Sequence, residues 1–175
     1  MGKIKLPEPV KLFIAEFSST PEIFPQVEEI LREIWGEIDY HSPLFNFDYT
    51  DYYEKEMGRG IKKKFISFEN LISPQDLKDI KLQTNQVEEK FKVEGKRKVN
   101  LDPGYLSLSK VILASTKDYY HRIYLGEGIY AEVTLHYRGG TFNSFPWTYP
   151  DYRSDEYQRV FQEIRKLYYE QLRKK

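Results

Sequence analysis

The chain has 175 residues, and its 27 Lys and Arg residues balance 27 Asp and Glu residues, so the formal net charge is zero. The absence of Cys excludes disulfide scaffolds, thiolate metal sites and cysteine nucleophiles. We find no apolar run of the roughly 20 residues that a membrane helix needs, no secretory leader, and no charge excess that would attract nucleic acid. With 40% hydrophobic residues, the sequence predicts a single cytoplasmic domain over residues 1–175, with residues 1–9 as a polar arm.

The first half of the chain predicts alternating strands and helices. Residues 10–17 form an apolar run rich in β-forming residues, which is typical of a buried central strand. Residues 20–36 carry apolar side chains at helical spacing, between a Thr-Pro start and a Gly stop. An extended aromatic stretch, a strand, a second helix and a short strand follow over residues 37–57, 59–69, 73–95 and 98–101. This β-α-β-β-α-β order is that of a ferredoxin-like split βαβ unit.

The second half predicts a β-meander over residues 119–148 and a third helix over residues 154–172. Residues 105–116 fit a strand by the alternation of Leu106 and Leu108, and they fit a helix by their later apolar spacing. We expect a short helix that begins near residue 107. The fold class is therefore α+β, in two layers, with one mixed or antiparallel sheet and three main helices on one side.

The first turn of the meander decides which side chains share a sheet face. A three-residue loop over residues 126–128 pairs Arg122 with Glu132 and Tyr124 with Tyr130. A two-residue loop would mix polar and apolar side chains on each face, so we predict the three-residue loop. One face of the sheet then becomes a polar, tyrosine-rich surface.

The charged pair on this surface has two interpretations. It is either an ordinary cross-strand ion pair on a solvated face, or part of a binding floor. In a binding floor, Arg122 binds a carboxylate or phosphate through two parallel N–H groups, and Glu132 orients Arg122 or acts as a base. His136 lies on the same predicted face and is the better general-base candidate, whereas His121 faces the apolar layer.

Acidic residues gather in two other segments. Asp48, Asp51 and Glu54 are spaced by three, and three oxygen donors could hold Mg²⁺ or Ca²⁺. The segment lacks calcium-loop spacing, and a turn rich in capping acids is the simpler interpretation, so no metal site is predicted. Asp102 lies in a turn at a strand end, where functional residues are often placed, or it simply bonds its own backbone there.

Basic and aromatic residues give further candidates. Lys110, Lys117 and Arg122 lie within one segment of 13 residues, and together they could neutralise an anionic ligand. Trp147 stands between two prolines, as a core plug or as a stacking wall for a planar ligand. The basic runs at 62–64 and 96–98 are typical of solvated faces, or of a phosphate-tracking patch if they are adjacent.

Four segments together resemble one family. They are FDYTDYYEKEMG, NLDPGYLSLSK, ASTKDYYHRIYLGEGIYAEVTL and WTYPDYR, at residues 47–58, 100–110, 114–135 and 147–153. The sequence resembles an uncharacterised prokaryotic domain-of-unknown-function family, whose members are often labelled automatically as GTP-binding proteins. The resemblance implies a single-domain protein with no established activity, cofactor or catalytic residue. A phosphate-cradling G-x-x-x-x-G-K-[ST] loop is missing, so the residues do not support the nucleotide label.

Three functional hypotheses follow, while the activity and any cofactor stay unknown. The first is a module that binds an anionic, phosphate-bearing small molecule or nucleotide through Tyr105, Lys110, Lys117, Arg122, Tyr124, Tyr130 and Trp147. The second is an acid/base or metal-assisted hydrolase or transferase, with candidate groups Asp48, Asp51, Asp102, Glu132 and His136. The third is a protein-interaction module that uses exposed tyrosines as anchors.

Overall fold

The computed structural model describes residues 2–174, which form nine strands in one antiparallel sheet and four helices. The strands are β1 (Val10–Ser18), β2 (Ile38–His41), β3 (Phe45–Asn46), β4 (Lys62–Ile72), β5 (Asn100–Leu106), β6 (Lys110–Ser115), β7 (Arg122–Gly126), β8 (Ile129–Arg138) and β9 (Thr141–Ser144). The helices are α1 (Phe24–Trp35), the single turn α2 (Glu54–Met57), α3 (Leu77–Lys90) and α4 (Asp155–Arg173). The predicted α+β class is confirmed.

The strand order is β2-β4-β1-β5-β6-β8-β7, with β3 added to β4 and β9 added to β8. Strand β4 lies between β1 and β2 and is antiparallel to both. Helix α1 connects β1 to β2, so the first half of the chain contains the predicted split βαβ unit. The meander extends the same sheet beyond β5.

Helices cover both faces of the sheet, which corrects the expected two-layer arrangement. Phe13 and Ala15 of β1 pack in a cluster with α4, whereas Leu12 and Ile14 pack in a cluster with α1 and α3. All nine residues of β1 are buried, because successive side chains of a strand point to opposite faces and both faces are covered. The run of apolar residues from Leu12 to Ala15, on both faces of the strand, is the sequence counterpart of that arrangement.

The short helix expected near Ser107 is wrong, because this segment forms the hairpin between β5 and β6. Ser107 N–H donates to the Lys110 carbonyl at 2.9 Å. Strand β6 has neighbours on both edges. Its successive residues Val111 and Ile112 pack in clusters on opposite faces of the sheet. Long-range pairing therefore decides a conformation that local spacing left ambiguous.

The face assignment of the β7–β8 hairpin is confirmed, since Arg122 pairs with Glu132 and Tyr124 with Tyr130. The turn itself is shorter than predicted. Gly126 pairs with Ile129 across a two-residue turn, and a bulge between Tyr124 and Gly126 absorbs the extra residue. The bulge keeps the predicted register despite the shorter loop.

A second bulge, in β8, changes the predicted face of His136. Val111 pairs with Leu135 while the next residue, Ile112, pairs with Val133, so one residue of β8 is unpaired there. Beyond this bulge the side chains of β8 exchange faces. Since His136 pairs with Lys110 and Glu132 pairs with Leu113, the two side chains lie on opposite faces of the sheet.

Candidate functional site

The sheet opens between β5 and β6, and this opening forms a cleft. The two strands pair only from Gly104 to Leu106, opposite 111–113. At Gly104 they are so close that a Cβ would lie 2.3 Å from the Ile112 carbonyl oxygen. The residue before it, Pro103, has no N–H to donate to a ladder. Beyond this point the strands diverge around a cleft of about 750 Å³.

Both sheet faces contribute to the walls of the cleft. Residues from the second half of α3 line one side, and the turn before α4 lines another. An aromatic wall comes from four tyrosines in the loops before α2 and before α4, namely Tyr49, Tyr52, Tyr53 and Tyr149. The cleft is therefore both charged and aromatic.

Arg122 is fixed in place by four hydrogen bonds along one wall. Its Nε donates to Glu132 Oε2 at 3.0 Å, and its Nη1 donates to the Lys117 carbonyl at 2.9 Å and to Ser115 Oγ at 3.2 Å. Its Nη2 donates to Tyr149 Oη at 2.7 Å. Burial lowers the pKa of Arg122, but Tyr149 and Glu132 outweigh burial and the net pKa is raised. Arg122 therefore stays charged and orders the loop that carries Lys117.

Both oxygens of Glu132 are occupied by partners within the protein. Besides Arg122, His121 Nε2 lies 2.8 Å from Oε2, and Thr134 Oγ1 donates to Oε1 at 3.1 Å. His121 also stacks on Trp147, with ring centroids 5.1 Å apart. The expectation that His121 faces the apolar layer is wrong, because it lies in the turn before β7. Glu132 thus acts as an anchor for Arg122 and His121.

At the floor of the cleft, Lys63 and Asp151 form a buried ion pair of 2.8 Å. The Lys63 ammonium lies 4.7 Å from the ring centroid of Tyr152 and 5.1 Å from that of Phe47. Aromatic faces stabilise a cation that has lost most of its water. The pair joins β4 to the turn before α4.

A second ion pair, between Lys81 and Asp102, joins α3 to β5. The Lys81 ammonium donates to the Leu101 carbonyl at 3.0 Å and lies 3.4 Å from Asp102 Oδ1. Two turns further along the helix, Glu88 accepts from the Leu101 N–H at 2.7 Å and from Arg97 at 3.2 Å. Burial raises the pKa of Glu88 despite these partners. The contacts hold the diverging end of β5 against α3.

Six cations and five carboxylates line the cleft, and one of the cations has no carboxylate partner. Five carboxylates each have a basic partner, in the pairs Lys63–Asp151, Lys81–Asp102, Arg97–Glu88, Lys92–Glu89 and Arg122–Glu132. Arg97 also pairs with Glu56, which lies outside the lining, through two hydrogen bonds of 2.8 Å. The sixth cation of the lining is Lys117, an exposed residue just after β6. Its ammonium lies 4.4 Å above the ring of Tyr52, and residues 2–174 provide no carboxylate partner for it.

The cleft contains four of the residues predicted as site candidates, which are Asp102, Lys117, Arg122 and Glu132. The other eight lie outside its lining, and they are Asp48, Asp51, Tyr105, Lys110, Tyr124, Tyr130, His136 and Trp147. Asp48 and Asp51 are exposed in the loop whose tyrosines form the aromatic wall. The acid/base set proposed from Asp48, Asp51, Glu132 and His136 is therefore not assembled in one place.

Several cleft residues were not identified from the sequence. Lys63 and Lys81 are buried, although lysine runs and helix lysines are usually solvated. The alternation of β4 offers one signal, because it places Lys63 on the same face as Phe65.

Within residues 2–174, no three His, Asp or Glu side chains are grouped so that they could hold a metal ion. The described helices also include none that is long and apolar enough to cross a membrane.

Fold and cleft define an α+β domain in which a split βαβ unit and an antiparallel meander diverge to form a charged, aromatic-lined cleft. The chain belongs to the family described as Domain of unknown function (DUF4416), whose model matches residues 8–168. No curated protein and no solved structure matches the chain.

Proposed function

We propose that the cleft binds an anionic small molecule that carries a phosphate group. The observation that carries this proposal is the surplus cation. Because every lining carboxylate has a basic partner, Lys117 alone has a charge that no lining side chain compensates. An ammonium at the mouth of a cleft suits a phosphate as a point charge.

The aromatic wall supports a ligand with a planar or ring-shaped part. Tyr52 lies beneath Lys117, and its ring contacts that of Tyr53 at a centroid distance of 5.0 Å. Tyr149 belongs to the same wall and is held in place, because its hydroxyl oxygen accepts a hydrogen bond from Arg122. Such faces stack on heterocycles and sugars without demanding one identity. The ligand class is therefore a nucleotide or a sugar phosphate.

The proposal concerns a free small molecule in the cytoplasm, not a nucleic acid. A chain of zero formal net charge has no overall attraction for a phosphate backbone. The absence of Cys suits a compartment in which disulfides do not form.

Calorimetry and thermal shift with AMP, ribose 5-phosphate and inorganic phosphate test this proposal. We expect the organic phosphates to raise the melting temperature, since a ligand at 100 times its Kd stabilises by about 2.7 kcal/mol. Lys117→Ala should weaken binding about tenfold, which corresponds to about 1.4 kcal/mol.

Lys110→Ala is the matched control, because Lys110 is an exposed lysine at the opposite end of the same strand, about 17 Å from residue 115 at the usual rise per residue. It removes the same charge and should leave binding unchanged. Equal losses in the two variants would indicate a general charge effect, and the absence of binding by any phosphate compound would reject the proposal.

A further inference from the structure

Two side chains of the cleft lining are buried yet lack a hydrogen-bond partner among residues 2–174. The hydroxyl of Tyr152 is one, in a residue that is 2% exposed, and the Nδ2 of Asn100 is the other, in a residue that is 4% exposed. Native proteins pair more than nine-tenths of such groups. Both groups belong to the lining of one cleft, so a ligand there can supply the missing partners.

The chemistry of both groups is that of a neutral hydrogen-bond donor. The Oδ1 of Asn100 accepts from Arg97 Nη1 at 3.0 Å, and since a guanidinium only donates, the amide orientation is fixed with Nδ2 as the free end. Burial, followed by the charges of Asp151 and Asp102, raises the pKa of Tyr152 well above its ordinary value, so its hydroxyl keeps its proton.

The charges around these donors are already neutralised. Lys63 is paired with Asp151, and Lys81 is paired with Asp102. The uncompensated charge of Lys117 lies instead in the exposed segment after β6. The cleft therefore offers uncharged donors in its buried part and a free cation in its exposed part.

We infer that the cleft takes a phosphate ester of a hydroxylated ring, bound with the ring oxygens at Tyr152 and Asn100 and the phosphate at Lys117. This inference rests on the proposed function and adds the orientation and the second recognition element. Hydroxyl oxygens accept from both donors, whereas a second anionic group would meet the paired carboxylates of Asp102 and Asp151. Sugar phosphates and ribonucleotides share this chemistry.

Tyr152→Phe gives an unusual signature if this is correct. It removes a hydroxyl without a protein partner, so the melting temperature without ligand should stay equal or rise, because the loss of an unsatisfied buried group is not destabilising. The same change should weaken ribose 5-phosphate and AMP about tenfold, the loss of one hydrogen bond to the ligand. A residue that only supports the fold would show the opposite pattern.

Tyr157→Phe is the matched control. Tyr157 is 1% exposed, its hydroxyl also lacks a partner, and its ring contacts those of Tyr152 and Phe65, but it does not line the cleft. We expect its melting temperature to stay equal or rise, as for Tyr152→Phe, and its binding of each probe to be unchanged. The comparison separates a buried hydroxyl of a residue that lines the cleft from that of a residue that does not.

The probes distinguish the two ligand sources and the two levels of the proposal. AMP binding more tightly than ribose 5-phosphate indicates a nucleotide whose base stacks on the tyrosine wall, and equal affinity indicates a sugar phosphate; both agree with the inference. If Tyr152→Phe binds both probes like the wild type while Lys117→Ala weakens them, the inference is wrong and the proposed function stands. The inference is also overturned if Tyr152→Phe, but not Tyr157→Phe, lowers the melting temperature of the ligand-free protein by several degrees. If the wild type binds neither probe, both proposals fail.

Discussion

Lys63 and Lys64 are adjacent in β4, yet they lie on opposite faces of the sheet in two very different charge clusters. Lys63 has one carboxylate partner, Asp151, and its side chain is 4% exposed. Lys64 contacts Glu28 and lies 3.8 Å from Glu16, so it faces two acids. Lys63 thus pairs with a single acid, while Lys64 is shared between two.

The Lys64 cluster also contains Arg32 and His41, which both contact Glu28, yet one of its two acids is protonated. Burial, and then the charge of Glu28, raise the pKa of Glu16 well above its ordinary value. Burial also acts to raise the pKa of Glu28, but the bonds from Lys64 and His41 outweigh it and the net pKa is lowered. Glu16 therefore carries the proton and Glu28 carries the charge. The comparison teaches that a buried acid keeps its charge where hydrogen bonds from basic side chains outweigh its burial, as at Glu28, and takes up a proton where they are missing, as at Glu16.

Lys63→Met should give the largest effect, because it leaves the Asp151 carboxylate buried without a cation. Breaking one partner of a buried pair lowers the free energy of unfolding by about 3–5 kcal/mol. Urea unfolding followed by circular dichroism measures this loss. Lys62→Met is the control on the same strand. Lys62 bonds Asn46 at the surface, and its loss should change stability by less than about 0.5 kcal/mol.

Two outcomes decide this prediction. Similar losses for Lys62→Met and Lys63→Met would show that the Lys63–Asp151 pair is not an essential buried contact. Adding Asp151→Asn to Lys63→Met removes the uncompensated charge and should recover part of the stability, which identifies the charge, not the lysine stem, as the cause.

Glu16→Gln tests the protonated member of the other cluster, and the effect should be stabilising. A carboxyl whose pKa is raised on folding contributes fully below the unfolded value near 4.5, and its contribution is lost as the pH rises toward the folded pKa. Glutamine keeps the shape and does not titrate. The variant should match the wild type near pH 4 and exceed it at pH 7 by up to about 3.5 kcal/mol, because the wild type loses up to about 1.4 kcal/mol for each pH unit above 4.5 and the variant does not.

Unfolding curves from pH 4 to pH 8 measure this difference, which grows by at most about 1.4 kcal/mol per pH unit for one proton. The exposed Glu29 on α1 offers a control, since Glu29→Gln should run parallel to the wild type. A Glu16→Gln curve that also runs parallel would show that Glu16 is ionised in the folded protein.

Local patterns in the sequence were sufficient for some features of this fold and for few features of the cleft. The apolar run that begins at Val10 predicted a buried strand because its signal lies in consecutive residues. The pairing of Arg122 with Glu132 was predicted because one hairpin contains both, and a bulge preserved it even though the turn was one residue shorter. Both predictions are confirmed, because each depends only on residues that lie close together in the sequence.

Features that depend on distant segments could not be predicted in the same way. The strand from Lys110 to Ser115 owes its conformation to partners on both edges, and a bulge in β8 turned His136 away from Glu132. Lys63 and Lys81 meet at the cleft only because β5 and β6 diverge beyond Gly104. No spacing within one segment contains that divergence, so the sequence does not single out Lys81, and the run that contains Lys63 is typical of a solvated face.

Lys64→Met should have the smallest effect of the three, although the residue lies next to Lys63. Glu28 keeps His41 at 2.9 Å and Arg32 at 3.4 Å, and a protonated Glu16 needs no cation. We expect a loss of about 1–2 kcal/mol in urea unfolding at pH 7, the range for a charged hydrogen bond with partial compensation. Combining it with Glu16→Gln makes the test specific, because the two effects should add if Glu16 is neutral. A loss as large as that of Lys63→Met, or strong coupling to Glu16→Gln, would mean that Lys64 balances two negative charges, and the contrast between the two lysines would disappear.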